Sequence, residues 1–184
     1  FAKNKKVQHV GGIIAGIGVL FIGMGMMSDA MVPLRDSETF IHMVTKFSNP
    51  LLGILVGAVF TAIIQSSSAS VGILQALAMG GVINLHSAVF VLFGQNIGTC
   101  IPAFLSSIGG SKNARRTAMV HFYFNLIGSI IFLTAVYAFQ YTVGFSFWSE
   151  AIDKAGIANF HTLFNVVVTL IFLPFTRVLV FLAE

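Results

Sequence analysis

Charge is what this chain has least of. Lysine, arginine, aspartate and glutamate make up 9% of its 184 residues, against 57% apolar residues. A water-soluble domain of this size needs far more charge to cover its surface, so the bilayer is the expected solvent. Cysteine is nearly missing: Cys100 stands alone, which excludes an internal disulfide and any cysteine-based metal cluster. The basic residues are scattered at segment ends and form no stripe with interleaved aromatics. The net charge of +4 therefore marks membrane topology and not a nucleic-acid partner. Neither GxGxxG nor GxxxxGK[ST] occurs, so phosphate-cradling nucleotide loops do not fit. There is no cleavable signal peptide at the start, and the chain opens on Phe1 instead of Met, as a portion of a longer polypeptide would.

What the chain does have is long apolar runs, at residues 10–32, 50–81, 85–108, 117–141 and 160–182. A helix needs about 20 apolar residues to cross the hydrocarbon, so each run can cross or fold back within it. The 19 phenylalanines form no motif and suit lipid-facing and helix-packing surfaces. Pro33, Arg35, Asp36, Ser37 and Glu38 end the first run in a polar turn, and Asn49-Pro50 signals a helix start. Trp148, in the 144–156 loop, reads as a membrane-surface anchor.

The charges choose between two threadings. If 50–81 enters and leaves on one side as a re-entrant hairpin, Lys3, Lys5, Lys6, Lys112, Arg115, Arg116 and Arg177 share a side, and Arg35, Lys46 and Lys154 the other, a split of seven to three. If 50–81 spans, the split falls to six to four. The positive-inside rule favours the hairpin, with the N-terminus and the 110–116 loop cytoplasmic and the protein multi-pass in the cell membrane.

Inside the second run stands a polar break, Gln65-Ser66-Ser67-Ser68-Ala69-Ser70. The arms on either side, roughly 17 to 21 Å long at the helical rise, are too short to cross alone and fit a hairpin whose tip reaches the bilayer interior. Irregular backbone is tolerated there only where it is buried in protein or lines a watery cavity. A helix beginning near Ser67 or Ser68 turns unpaired N–H groups and the positive end of its dipole toward the tip, which suits an anion. Serine hydroxyls can donate to phosphate oxygens or offer lone pairs to a hard cation such as sodium, and the Gln65 amide can do both. The competing reading, polar side chains that merely hold helices together, suits an isolated serine better than five polar residues in six positions.

A second break, Gly94-Gln95-Asn96-Ile97-Gly98-Thr99-Cys100 followed by Pro102, predicts a discontinuous transmembrane helix over about 85–108, a feature that in transporters frees carbonyls for a cation. Gln95, Asn96 and Thr99 are the candidate sodium ligands there, with Ser67 and Ser68 from the first break. The alternative for Gly94 and Gly98, four apart like Gly12 and Gly16 or Gly53 and Gly57, is a packing notch. His121-Phe122-Tyr123-Phe124-Asn125 and His161-Thr162-Leu163-Phe164-Asn165 echo each other, and helix–helix hydrogen bonding is the expected use of their His and Asn.

The stretch Thr61-Ala62-Ile63-Ile64-Gln65-Ser66-Ser67-Ser68-Ala69 resembles the type II sodium/phosphate cotransporter family, whose hallmark is a QSSS element. The resemblance continues through Gly94 to Thr99, Asn113-Ala114-Arg115-Arg116, His121, Phe124-Asn125 and 158–165, and so covers nearly the whole chain. It implies an all-α polytopic membrane protein in which 1–184 is one inverted-repeat unit, similar to the second half of bacterial members. It implies phosphate bound by Gln65, Ser66, Ser67 and Ser68, with Na+ as the coupling ion and alternating access about a midplane site. No organic cofactor and no enzymatic activity are expected. With one QSSS element present, a second repeat must come from a longer chain or from an inverted homodimer. The rivals are a half-transporter or membrane subunit that binds without transporting, and an intramembrane serine hydrolase. The hydrolase lacks a GxSxG elbow and a centrally placed His base.

Overall fold

A computed structural model describes residues 5–31, 46–81 and 83–184. The expected polar turn at Pro33–Glu38, together with Lys3, Arg35 and His42, lies outside the described residues. The rest is helical: α1 (Lys5–Met31), a 3-10 turn (Lys46–Ser48), α2 (Pro50–Ile64), α3 (Ser67–Met79), α4 (Leu85–Gly98), α5 (Ile101–Ser107), α6 (Lys112–Thr142), α7 (Lys154–Phe172), a 3-10 turn (Leu173–Phe175) and α8 (Thr176–Leu182). Four stretches are long and apolar enough to cross a membrane, Lys5–Gly23, Leu85–Ser107, Lys112–Thr142 and Lys154–Leu182, while Pro50–Ile64 and Ser67–Met79 are shorter apolar helices. The protein is an all-α membrane protein.

The helix starts follow local chemistry. Asn49 accepts from the N–H groups of Leu51 and Leu52, with Pro50 in the first turn. Ser66, Asn84, Ser111 and Asp153 cap α3, α4, α6 and α7 through side-chain oxygens. Each such cap satisfies a donor the helix cannot pair internally and contributes about 1 kcal/mol.

The most extensive helix pairing is between α2 and α4, and the two run parallel. Ser48 and Ser87 share a hydroxyl hydrogen bond of 2.9 Å at one end, and further along Gly57 lies against Val91 and Gln95, and Gly98 against Ala58. The approach is possible because Gly57, Gly94 and Gly98 lack a side chain: a Cβ on Gly94 would collide with the Ile54 carbonyl, and one on Gly98 with the Ala58 carbonyl. These glycines are therefore the packing notch. Gly12 and Gly16 are different, since a Cβ there meets nothing within 4 Å.

A cluster of phenylalanine rings ties α4, α6 and α7 together. Phe93 stands edge-on to Phe132, Phe160 and Phe164 at centroid distances of 6.1, 6.1 and 5.4 Å, the arrangement the ring quadrupole favours. At the far end of α6 the 144–153 segment folds back over the start of α4. Leu85 N–H donates to the Glu150 carbonyl, His86 N–H to Trp148, and Ile152 N–H to Ile83. Trp148 is consequently buried and stacked on Phe145 at 5.7 Å. It is a core residue and not the surface anchor its sequence position suggested. His86 packs 4.8 Å from Phe90 and 5.0 Å from Trp148.

Candidate substrate and ion site

Between α2 and α3 the chain leaves helical geometry for two residues only. Gln65 ends α2 in the left-handed region, φ 57° and ψ 23°, with its N–H donating to the Thr61 carbonyl at 2.7 Å. Among the described residues it is the sole non-glycine residue with positive φ, a conformation that costs a side-chain-bearing residue roughly 1–2 kcal/mol. Ser66 is extended and caps α3, its Oγ accepting from Ala69 N–H at 3.3 Å. The first helical bond of α3 is Ser70 N–H to the Ser66 carbonyl, 3.0 Å. The N–H groups of Ser67 and Ser68 stand ahead of it, in the turn whose donors have no intrahelical acceptor. Gln65 and Ser68 are exposed, and Ser66 and Ser67 half-buried.

One helical turn back from this tip, the two arms are tied together. Thr61 Oγ1 and Ser70 Oγ are 2.7 Å apart and fully buried. Gln95 of α4 joins them: its Nε2 donates to the Ser70 carbonyl at 3.0 Å, and its side chain is 2% exposed. The Gln95 Oε1 is buried and has no hydrogen-bond partner among the described residues. Turning the amide over would set that oxygen against the Ser70 carbonyl, so the Ser70 bond fixes the orientation. A buried acceptor left unpaired costs about 1–3 kcal/mol, a cost that a cation would offset. Gln95 lies near the middle of the 85–107 span.

The fold thus brings Gln95 to the hairpin arms. Asn96, one residue and a hundred degrees further round α4, is buried with its Nδ2 donating to the Leu92 carbonyl of its own helix, 3.0 Å. Thr99 is half-buried where α4 ends. Among the described residues no hydrogen bond joins Asn96 or Thr99 to residues 65–68. The helix break itself falls at Thr99 and Cys100, beyond the glycines, and both residues keep right-handed helical dihedrals. Pro102 explains its position, because it has no N–H to give the Gly98 carbonyl. Thr61 and Ser70 were not among the expected ligands. Their signal was present all the same, a hydroxyl one turn to either side of the break.

Cys100 faces α6. Asn125 Nδ2 donates to its sulfur at 3.5 Å and to the His121 carbonyl at 3.0 Å. In the echo motif, Asn165 Nδ2 donates to the His161 carbonyl, 2.8 Å. The asparagines therefore bond first within their own helices, and Asn125 also bonds across to the α4–α5 break.

The chain thus combines two helices joined at a serine-rich break, a capped helix start and a buried unpaired amide oxygen in an all-α membrane protein. Residues 34–157 match the Na+/Pi-cotransporter family, and the chain belongs to it. The chain is 35% identical over 175 residues to the uncharacterised protein YqeW of Bacillus subtilis, covering 93% of this chain and 55% of that one. It is 28% identical over 175 residues to YjbB of Escherichia coli, named for inorganic phosphate export, covering 94% of this chain and 32% of YjbB. Human sodium-dependent phosphate transport protein 2B is 28% identical over 165 residues, 84% of this chain and 23% of that protein. The chain therefore spans about half the Bacillus relative and a third of the Escherichia one. The names of the family and of the Escherichia and human relatives are those of transporters and not of enzymes, which leaves the hydrolase reading without support. No solved structure matches the chain.

Proposed function

We propose that this chain forms half of a sodium-coupled phosphate carrier, with α2 and α3 as a re-entrant hairpin in the bilayer. Phosphate binds at the tip, on the Ser67 and Ser68 N–H groups and the side chains of Gln65, Ser66, Ser67 and Ser68. The observation that carries this reading is the start of α3: a capped 13-residue helix whose first donors point from a serine-rich break. That geometry stabilises an anion without any cationic side chain.

Sodium binds beside it, drawn by the unpaired Gln95 Oε1 and by hydroxyl oxygens of the hairpin, with Ser67, Ser68, Asn96 and Thr99 supplying further oxygens as the site rearranges. A hard cation prefers such neutral and backbone oxygens, and its charge beside the phosphate compensates for the lack of an arginine or lysine. Phosphate affinity accordingly rises steeply with sodium.

The hairpin reading is supported by arm length and by the Ser48–Ser87 contact, which returns the chain after α3 to the level at which α2 began. The ends of the bundle also differ in charge. Lys112, Arg115 and Arg116 stand at one end, where Arg116 meets Glu184 at 3.3 Å. Asp29, Glu150, Asp153 and Lys154 stand at the other, where Asp29 and Lys154 line one cleft. The basic end is then cytoplasmic.

A second repeat completes the site, supplied by a longer chain or by an inverted copy of this one. Leu51, Leu55, Val59 and Ile63 form an exposed stripe on α2, a face available to it. Because the chain spans about half of the Bacillus relative and a third or less of the others, a unit that binds without transporting is the competing reading. Phosphate uptake into vesicles holding only this chain, with and without a sodium gradient, tests both. Sodium-driven uptake supports a self-completed carrier. Sodium-dependent binding without uptake supports the half-site, and neither uptake nor binding contradicts the tip as the site.

A further inference from the structure

A large cavity lies away from the tip, between the second half of α6, the start of α7 and the 144–153 segment. It holds about 710 Å³ and is walled by apolar side chains, among them Phe132, Phe139, Phe145 and Leu163. Glu150 is the one charged residue on its lining and Asn159 the one amide. Among the described residues the Glu150 carboxylate has no ion pair or hydrogen bond; only its backbone is engaged, its carbonyl accepting from Leu85 N–H and its N–H donating to the Phe147 carbonyl.

Three properties select the occupant. Apolar walls of this kind do not hold water. The depth matches a lipid tail. Phe132 lies ten residues from the end of α6 at Thr142, roughly 15 Å along the helix, half the thickness of a bilayer's hydrocarbon. The carboxylate of Glu150 belongs to the segment that closes the shallow end.

We propose that this cavity is a lipid site, taking one acyl chain of a membrane lipid whose headgroup carries an amine, with the ammonium group against Glu150. The site is independent of the phosphate reading. An anionic headgroup of the same chain length is disfavoured by the same carboxylate, and phosphatidylethanolamine is favoured over phosphatidylglycerol.

Trp148, the single tryptophan of the chain, lines the cavity, so the chain reports on its own occupant. Reconstituted into phosphatidylcholine containing increasing fractions of lipid with brominated acyl chains, its fluorescence is quenched by brominated phosphatidylethanolamine at a mole fraction at least threefold lower than by brominated phosphatidylglycerol. Glu150→Gln removes that difference while quenching persists. Ala135→Phe, which adds bulk to the cavity wall, weakens quenching by both. Equal quenching of the unaltered protein by the two lipids overturns the proposal, as does no quenching at all or a preference untouched by Glu150→Gln.

Discussion

The two polar breaks look alike in sequence and behave differently in the fold. At Gln65 and Ser66 the chain reverses: one residue is forced left-handed, the next is extended, and a new helix opens with donors unspent. At Thr99 and Cys100 the chain keeps right-handed dihedrals and continues as α5, its polar groups taken up locally by the Asn96 and His121 carbonyls and by Asn125. The lesson is that polarity inside a membrane helix does not mark a site by itself. What distinguishes the first break is that its hydrogen-bonding capacity is left over, and what distinguishes Gln95 from Asn96 is the same thing.

The contrast can be broken first by separating the helices that hold the hairpin in place. Gly94→Leu drives a side chain into the Ile54 carbonyl, and overpacking of this severity is expected to cost about 3 kcal/mol or more. Thermal unfolding in detergent should show a large loss, whereas Gly12→Leu, with nothing within 4 Å, should leave the transition in place. Next, Ser67→Ala should weaken sodium-dependent phosphate binding by roughly 10- to 100-fold, at about 1.5–3 kcal/mol for one hydrogen bond to a charged group, with the fold retained by circular dichroism. Gln95→Leu should shift the sodium concentration for half-maximal phosphate binding upward by several-fold. Asn96→Leu, which loses a bond within its own helix, should shift it less, and the reverse order would mean that the wrong amide has been placed at the ion. The smallest effects are at the backbone and the second break. Gln65→Gly should raise stability by about 1 kcal/mol by releasing the left-handed strain, and Cys100→Ser should leave sodium dependence unchanged.

Much of the fold was legible because membrane helices announce themselves by length, and because Asn49-Pro50 signals a helix start by its own chemistry, whereas the caps Ser66 and Asp153 were not anticipated. The break between α2 and α3 at Gln65-Ser66 was legible because four hydroxyls interrupt an apolar run. The buried triad was not. Thr61, Ser70 and Gln95 are separated by 9 and 25 residues, and only the parallel pairing of α2 with α4 makes them neighbours. The glycines of the second break misled by their composition: glycine permits a break but does not require one, and here it admits the backbone of α2 instead. Trp148 misled by its position near a helix end, since nothing local says that the 144–153 segment folds inward over α4.

The central claim is that the tip of the hairpin binds phosphate when sodium is present. Cys100 is the single cysteine and is buried, so a cysteine introduced by Ala69→Cys, beside the tip but outside the proposed ligands, gives one accessible thiol. Its rate of modification by a small water-soluble thiol reagent, measured in reconstituted protein, should fall several-fold on adding phosphate with sodium and stay constant when potassium replaces sodium. A rate indifferent to phosphate in the presence of sodium would contradict the account.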